Sequence, residues 1–396
     1  MTDGPLRVGV NLLWLVPGVV GGSEEYTVRL LHGLADLAPE DLAIELFALD
    51  DLRRAHPQLV ERFPTTTIGL RGRAKALRVA AETTWLAAQV RRRGLDVVHH
   101  PGGVVPLLTG GAATVLTVHD LQPLDHPENF SRTKVAYLRA ALPRSVRVAD
   151  VVTTPSHAAA RRVGERLGVP AARLHPVLHG LEPEAFAAAD PAEVERVRAA
   201  LGLAPRWILY PVITYPHKNH RVLVEAFARL APAHPDVDLV LAGGEGPAEA
   251  AVREAVAASG VADRIHRTGR VPRADLDALL AGADVVAFPS RYEGFGVGAL
   301  EAMAAGVPVV AADATALPEV VGDAGTLVGP DDGPGWVAAL SRLLDDAALR
   351  AEAGAAGRRR AATFTNEAGA RALASAYRAA ARPGAPADPG PSGAAG

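Results

Sequence analysis

The chain has no cysteine among its 396 residues. That removes a disulfide framework, a thiolate metal site and a thiol nucleophile. Its charges nearly cancel, with a formal net charge of -3, so bulk electrostatics offer nothing to a nucleic acid and no such partner is expected. Its longest apolar runs are interrupted by glycine, proline or charge, and none is long enough to cross a bilayer. The opening "MTDGPLRVGVNLLWL" carries an acid and then a strand pattern, so it does not read as a signal peptide. A cytoplasmic protein is the expectation, with the inner face of the membrane as a peripheral contact.

What the chain does have is 49% hydrophobic and 21% charged residues, a globular balance at a length that suits two domains. Short β-branched runs alternate with longer Ala/Leu/Arg-rich stretches, the rhythm of βα units around a parallel sheet. In the first half "LRVGVNLLWL", "AIELFAL", "LDVVHH", "ATVLTVHD" and "ADVVTTPS" read as strands. In the second, "RWILYPVIT", "DLVLAGG", "RIHRTGRV", "ADVVAFPS", "VPVVAAD" and "GTLVG" repeat the theme. Apolar runs without alternation imply strands covered on both faces, so the fold class is α/β with two doubly wound parallel sheets. The rhythm pauses over residues 181–206. "NEAGARALASAYRAAA" reads as a terminal helix, and the Pro/Gly/Ala-rich end after it as a disordered tail.

Ligands of open parallel sheets gather at the carboxyl ends of the strands, and each candidate motif lies just after a strand. In "ADVVAFPSRYEGFGVGALEAMAAG" the strand should end at Phe288 and a helix begin near Val297. Gly294, Gly296 and Gly298 let backbone N–H groups approach an anion, and the helix N-terminus adds partial positive charge. Glu301, about one turn into that helix, suits paired sugar hydroxyls. Read singly, Glu293 is a solvated loop acid and Glu301 a dipole partner; the whole string argues for a site. In "YPVITYPHKNHRVLVEAFARL", Asn219 reads as an N-cap and places Lys218 at a helix start. A cation there is unfavourable unless an anion accompanies it. A surface lysine beside a cap is the plainer alternative.

The string "PSRYEGFGVGALEAMAAGVPVVAAD", with two glutamates eight positions apart, resembles the signature of the family 4 retaining glycosyltransferases. The resemblance runs from the glycine-rich loop near residue 20 to the terminal helix. It implies a GT-B fold of two facing Rossmann-like domains with a cleft between them. Residues 1–185 would then form an acceptor-binding domain and 186–365 a nucleotide-sugar-binding domain, followed by a helix at 366–380 and the tail at 381–396. It implies Glu301 on the nucleotide ribose, Glu293 on the donor sugar, and Lys218 neutralising the leaving diphosphate. Gly294, Phe295, Gly296 and Val297 would line the sugar and phosphate pocket, with Val271 at the base, Gly22 at the cleft loop, and His119 near the donor sugar or the acceptor. No metal and no cofactor beyond the nucleotide-sugar co-substrate is implied. "PHKN" resembles a mannosyl-transferring subgroup, which favours GDP-mannose. Two departures stand out: Gly298 where many relatives have proline, and Ile213 where many have arginine. Arg270 and backbone amides are the candidates to replace that charge.

Other stretches carry weaker signals. In "VVGGSEEYTVRLLHGLA" Ser23 reads as a helix cap behind Gly21 and Gly22, while Glu24 and Glu25 would already satisfy the dipole. His99 and His100 read as strand-end packing, and the histidine spacing between residues 99 and 179 matches no zinc motif. The basic stretch 71–94 reads first as a solvated amphipathic helix. For a lipid-linked acceptor it would be the place of peripheral membrane contact. A nucleotide-sugar epimerase of the same fold is the alternative enzyme, and a noncatalytic nucleotide-sugar binder the lesser one. A dinucleotide-dependent dehydrogenase is disfavoured, since the first turn reads "PGVVGG" rather than G-x-G-x-x-G.

Overall fold

A computed structural model describes residues 4–70, 72, 74–182 and 190–382. The chain divides into two compact units. One runs to Gly180 and takes the chain back from Asn366; the other is Leu181–Thr365. The boundary expected at 185/186 falls outside the described residues. The division lies earlier because the Leu181 N–H donates to the Phe364 carbonyl at 2.8 Å, which ties Leu181 into the second unit.

In the first unit the described strands are β1 (Leu6–Leu12), β2 (Leu42–Leu49), β3 (Thr65–Ile68), β4 (Val97–His100), β5 (Ala113–Thr117), β6 (Val151–Thr154) and β7 (Leu174–Pro176). They form one sheet in the order β3-β2-β1-β4-β5-β6-β7, parallel throughout. In the second unit β8 (Arg206–Tyr210), β9 (Val237–Ala242), β10 (Ile265–Gly269), β11 (Val285–Phe288), β12 (Val309–Ala312) and β13 (Thr326–Val328) lie in the order β10-β9-β8-β11-β12-β13, again parallel. The central strands are largely buried, β9 at every residue, as mainly apolar runs covered on both faces require. The strand order reverses between β1 and β4 and between β8 and β11. At such a point adjacent connections leave in opposite directions and open a crevice.

The terminal helix, Asn366–Ala381, belongs to the first unit rather than standing apart. Its face of Ala370, Leu373, Ala374 and Tyr377 is buried in the core that holds Val8, Leu30 and Val97. The Tyr377 hydroxyl also meets His99 Nδ1 on β4 at 2.9 Å, while His99 Nε2 meets Thr117 Oγ1 at 2.7 Å. His99 is thus strand-end packing, and burial lowers its pKa to about 3. The basic stretch is two helices, Lys75–Thr83 and Trp85–Arg93, separated at Thr84. Arg71 and Arg73, and most of the proposed tail, lie outside the described residues.

Because Leu373 is 2% exposed in that core, Leu373→Ala should cost the first unit about 2–5 kcal/mol. Urea unfolding followed by fluorescence should show its transition moving to lower denaturant while that of the second unit holds.

Candidate active site

The reversal between β8 and β11 brings together two loops whose residues are distant in sequence. After β8 the chain makes a short 3-10 turn, Pro216–Lys218, before the helix His220–Leu230. After β11 it passes Pro289 and Ser290 into the glycine loop. The two loops are tied by backbone and side chain. The Arg291 N–H donates to the His217 carbonyl at 2.8 Å. The Tyr210 hydroxyl lies 2.6 Å from the Lys218 carbonyl and 3.0 Å from Ser290 Oγ. Burial, and then the charge of Glu293, raises the pKa of that phenol.

Lys218 reaches across this junction, its Nζ 2.7 Å from Glu293 Oε1, with side chains only 16% and 13% exposed. The anion that a lysine at a helix start demands is therefore supplied by the protein. Asn219 does not cap with its side chain. It sits in the left-handed region at φ 55 and its amide donates to the Pro330 carbonyl at 2.7 Å, so it fixes the turn from the opposite side. Glu293 is held in turn by its own N–H donating to Thr315 Oγ1 at 2.9 Å.

The glycine loop then enters the helix Val297–Ala305. Phe295 is a core anchor, its ring 5.9 Å from that of Phe364, so its backbone rather than its side chain can serve a ligand. Gly294 is half-buried. Gly296 is the helix N-cap at φ 100, and a Cβ there would come 2.8 Å from Leu317 Cδ2; both facts require glycine. Gly298 is instead helical, close beneath the Phe288 ring. No side chain caps this helix and no acid stands in its first turn. The N–H groups of Val297 and Gly298 therefore have no intrahelical acceptor. Glu301 lies further along, 14% exposed, with Oε1 3.5 Å from Nη1 of Arg273. Arg273 begins the helix Arg273–Ala281, two residues beyond the half-buried Val271. That contact links the Glu301 helix to the segment after β10.

His119 belongs to the first unit and lines a cavity of about 420 Å³ together with Asn11, Trp14, Ser23 and Glu82. Its Nε2 is 2.8 Å from the Pro101 carbonyl. A carbonyl only accepts, so Nε2 carries the proton and Nδ1 is the basic nitrogen. Burial lowers its pKa to about 4, against a weaker opposite effect of that hydrogen bond. A neutral imidazole can accept from a sugar hydroxyl but cannot act as a general acid near neutrality. Gly22 begins the helix Gly22–Leu37, with Gly21 as N-cap at φ 69. Ser23 is inside the helix and does not cap it. Glu24 turns back instead, accepting from the Gly18 N–H at 2.9 Å and meeting His56 Nε2 at 2.8 Å.

Comparison with known proteins adds to this geometry. The model described as Glycosyltransferase Family 4 matches residues 20–185, and that described as Glycosyl transferases group 1 matches residues 206–346. The O-antigen chain mannosyltransferase B of Escherichia coli is 32% identical over 274 residues, 68% of this chain and 71% of its own length. The chain belongs to the family 4 glycosyltransferases. The 2-deoxystreptamine glucosyltransferase of Streptomyces kanamyceticus is likewise 32% identical over 357 residues, 81% of this chain and 89% of its own. The structure of HepE of Anabaena in complex with UDP-glucose matches with a TM-score of 0.73 at 20% identity, covering 93% of this chain and 98% of that one. The fold of this glycosyltransferase is GT-B.

Several residues that hold this glycosyltransferase's site together escaped the sequence reading: Tyr210, Thr315 and Arg273. Tyr210 ends a strand run and carried only the signal of a polar tip on an apolar stretch. Among the described residues no group of three or more His, Asp or Glu side chains is placed to hold a metal ion. No described helix is long and apolar enough to cross a membrane.

Two measurements check the site's electrostatics. A double-mutant cycle of Lys218→Met and Glu293→Gln should give a coupling of about 1–3 kcal/mol in unfolding of the second unit. Each single variant strands a mostly buried charge that the double variant removes. The second concerns His119, whose folded pKa of about 4 lies below the ordinary 6.5. Below pH 6.5 the unfolded chain takes up the proton first, so stability rises with pH across this window and is lost as pH falls from 6.5 towards 4. His119→Asn should flatten that loss in thermal melts of the first unit.

Proposed function

We propose that this glycosyltransferase moves a sugar from a nucleoside diphosphate donor to an acceptor hydroxyl with retention of anomeric configuration. GDP-mannose is the first choice of donor. The observation that carries the reading is the Lys218–Glu293 pair, 2.7 Å apart, beside the uncapped start of the Val297–Ala305 helix. In this reading Lys218 and the N–H groups of Val297 and Gly298 receive the diphosphate. Glu293, still within reach of Lys218, turns to the donor sugar, and Glu301 with the segment near Val271 takes the ribose and base. The bond from the sugar's anomeric carbon to the β-phosphate oxygen breaks, and the acceptor oxygen bonds to the same face. The acceptor's proton passes to the departing phosphate oxygen. The protein stabilises the charge that grows on that phosphate, with fixed donors that need no reorganisation. Neither a metal nor a further cofactor is called for.

The acceptor is assigned to the first unit, where His119 supplies a basic Nδ1 to a hydroxyl. The mannosyltransferase relative and the "PHKN" string support mannose; the glucosyltransferase relative makes UDP-glucose the competing donor.

Lys218→Ala should lower kcat/KM by about 10²–10³, the usual loss of one fixed donor to a developing oxyanion. Glu301→Ala should weaken nucleoside diphosphate binding roughly tenfold to a hundredfold, as loss of a charge-assisted bond of about 1.5–3 kcal/mol implies. Calorimetry with GDP and UDP, and NMR of the product's anomeric configuration, check these points. Inversion, or unchanged kinetics in both variants, overturns the assignment. Isomerisation of donor without acceptor points to the epimerase.

A further inference from the structure

The cavity beside His119 is of ligand size at about 420 Å³, and its polar groups are not balanced. Two helices place ammonium groups on it: Lys75 at the start of Lys75–Thr83 and Lys134 in Arg132–Val148. Among the described residues neither lysine has a carboxylate within ion-pair distance. Each lies over an aromatic ring instead, Lys75 Nζ 5.6 Å from the Tyr137 centroid and Lys134 Nζ 4.4 Å from that of Phe130. The acids of the cavity are already engaged. Asp120 Oδ1 accepts from the Gln122 N–H at 2.9 Å, and Glu82 feels the charge of Arg78 and a hydrogen bond from Asn11, though burial outweighs both. Two ammonium groups therefore line the cavity without an ion-pair partner among the described residues. Part of the wall is apolar or aromatic, with Phe130, Tyr137, Leu138 and Leu142 at the cavity and Tyr137 41% exposed.

We propose that this cavity recognises an acceptor carrying a phosphate ester next to an apolar or aromatic group, the phosphate set between Lys75 and Lys134. The inference rests on placing the acceptor in the first unit and adds its chemical class. A phosphate supplies the acceptor oxygens that both ammonium groups lack, and charge-assisted bonds are the stronger kind. Two further trends agree. Burial lowers the Lys134 pKa, with the like charge of Lys75 adding to it and Asp120 opposing it. Burial also raises that of Glu82 to about 7, which Arg78 only partly offsets, so the floor resists a second negative charge less than an ionised pair of acids would.

The test uses the whole chain and direct binding. Octyl phosphate below its micellar concentration and inorganic phosphate are titrated by calorimetry, with octyl glucoside and a cyclic diamine as controls. Octyl phosphate should bind more tightly than inorganic phosphate, and octyl glucoside should not bind comparably. Affinity should fall at least tenfold in the Lys75→Ala/Lys134→Ala double variant and persist in Lys134→Arg. Vesicles of phosphatidylcholine with and without phosphatidylglycerol separate the sources. Retention on the anionic vesicles, lost in the double variant, assigns a lipid-borne phosphate; octyl phosphate binding without retention assigns a soluble one. Equal octyl phosphate affinity in the double variant, or binding of the diamine and not of phosphate, overturns the proposal. GDP binding, measured on the same samples, belongs to the second unit's residues, so loss of the nucleotide reading would appear there and leave the phosphate result to stand by itself.

Discussion

An ammonium and a carboxylate 75 positions apart in the chain lie 2.7 Å from each other, and the organisation of the second unit follows from making that contact hold. It exists only because β8 and β11 are hydrogen-bonded neighbours, so that the turns at their carboxyl ends share one crevice. Tyr210 and the Arg291 N–H join those turns independently of the pair. A charge pair at 16% and 13% exposure gains little unless its geometry is fixed beforehand. Here the backbone fixes it. On the proposed reading this has a functional consequence: Lys218 is desolvated and aimed before any donor arrives, because Glu293 already occupies an anion's place beside it. Donor binding then exchanges one negative partner for another, and folding rather than ligand binding has met the cost of burying the lysine.

Both units bury neutral polar groups, and the second adds a buried ion pair. In the first, His99, His100 and His119 are held neutral by burial, with pKa values lowered to about 3, 3 and 4, and they bond to hydroxyl, amide and carbonyl groups. In the second, His220 is likewise held neutral, its pKa lowered to about 4 mainly by burial, but an ion pair is buried as well. Glu249 meets Arg267 at 2.7 Å and Thr214 at 2.8 Å, and burial, which alone would raise its pKa, is outweighed by those bonds. Neutral, directional groups suit hydroxyl recognition, whereas matched charges suit a partner that changes its own charge.

Much of this was legible in the sequence where local pattern and final environment agree. A central strand such as "VVAF" is apolar on both faces and buried on both. The edge strands β3 and β7 escaped notice, because "TTTI" is polar and "LHP" ends in proline, as edges tolerate and centres do not. Lys218, Glu293 and Glu301 were singled out by the motifs around them, and the structure brings the first two together. Their mutual contact was not legible, since it depends on strand order. The capping roles of Ser23 and Asn219 were misread for a related reason. Propensity names residues able to cap, but Gly21 already supplied the turn in one case and the Pro330 carbonyl captured the amide in the other. Nor could local sequence say on which unit the terminal helix would pack.

Ile213 shows how a departure from a family pattern can be structural rather than a gap. Its side chain lies against the loop after β9: a Cβ at Gly246 would come 3.0 Å from its Cγ2 and 2.7 Å from the Thr214 carbonyl. Thr214 Oγ1 also accepts from the Gly246 N–H at 2.8 Å while it donates to Glu249. The position is occupied by packing that holds the turn leading to Lys218, and the Glu249–Arg267 pair lies behind it. Before any ligand binds, Lys218 is matched one to one by Glu293. On the proposed reading, attraction for a diphosphate comes mainly from oriented N–H groups at the head of the Val297–Ala305 helix and from Glu293 turning aside from Lys218. Under that arrangement the glycine at 296, which alone permits the φ of 100 that aims those groups, weighs as heavily in the site as the lysine.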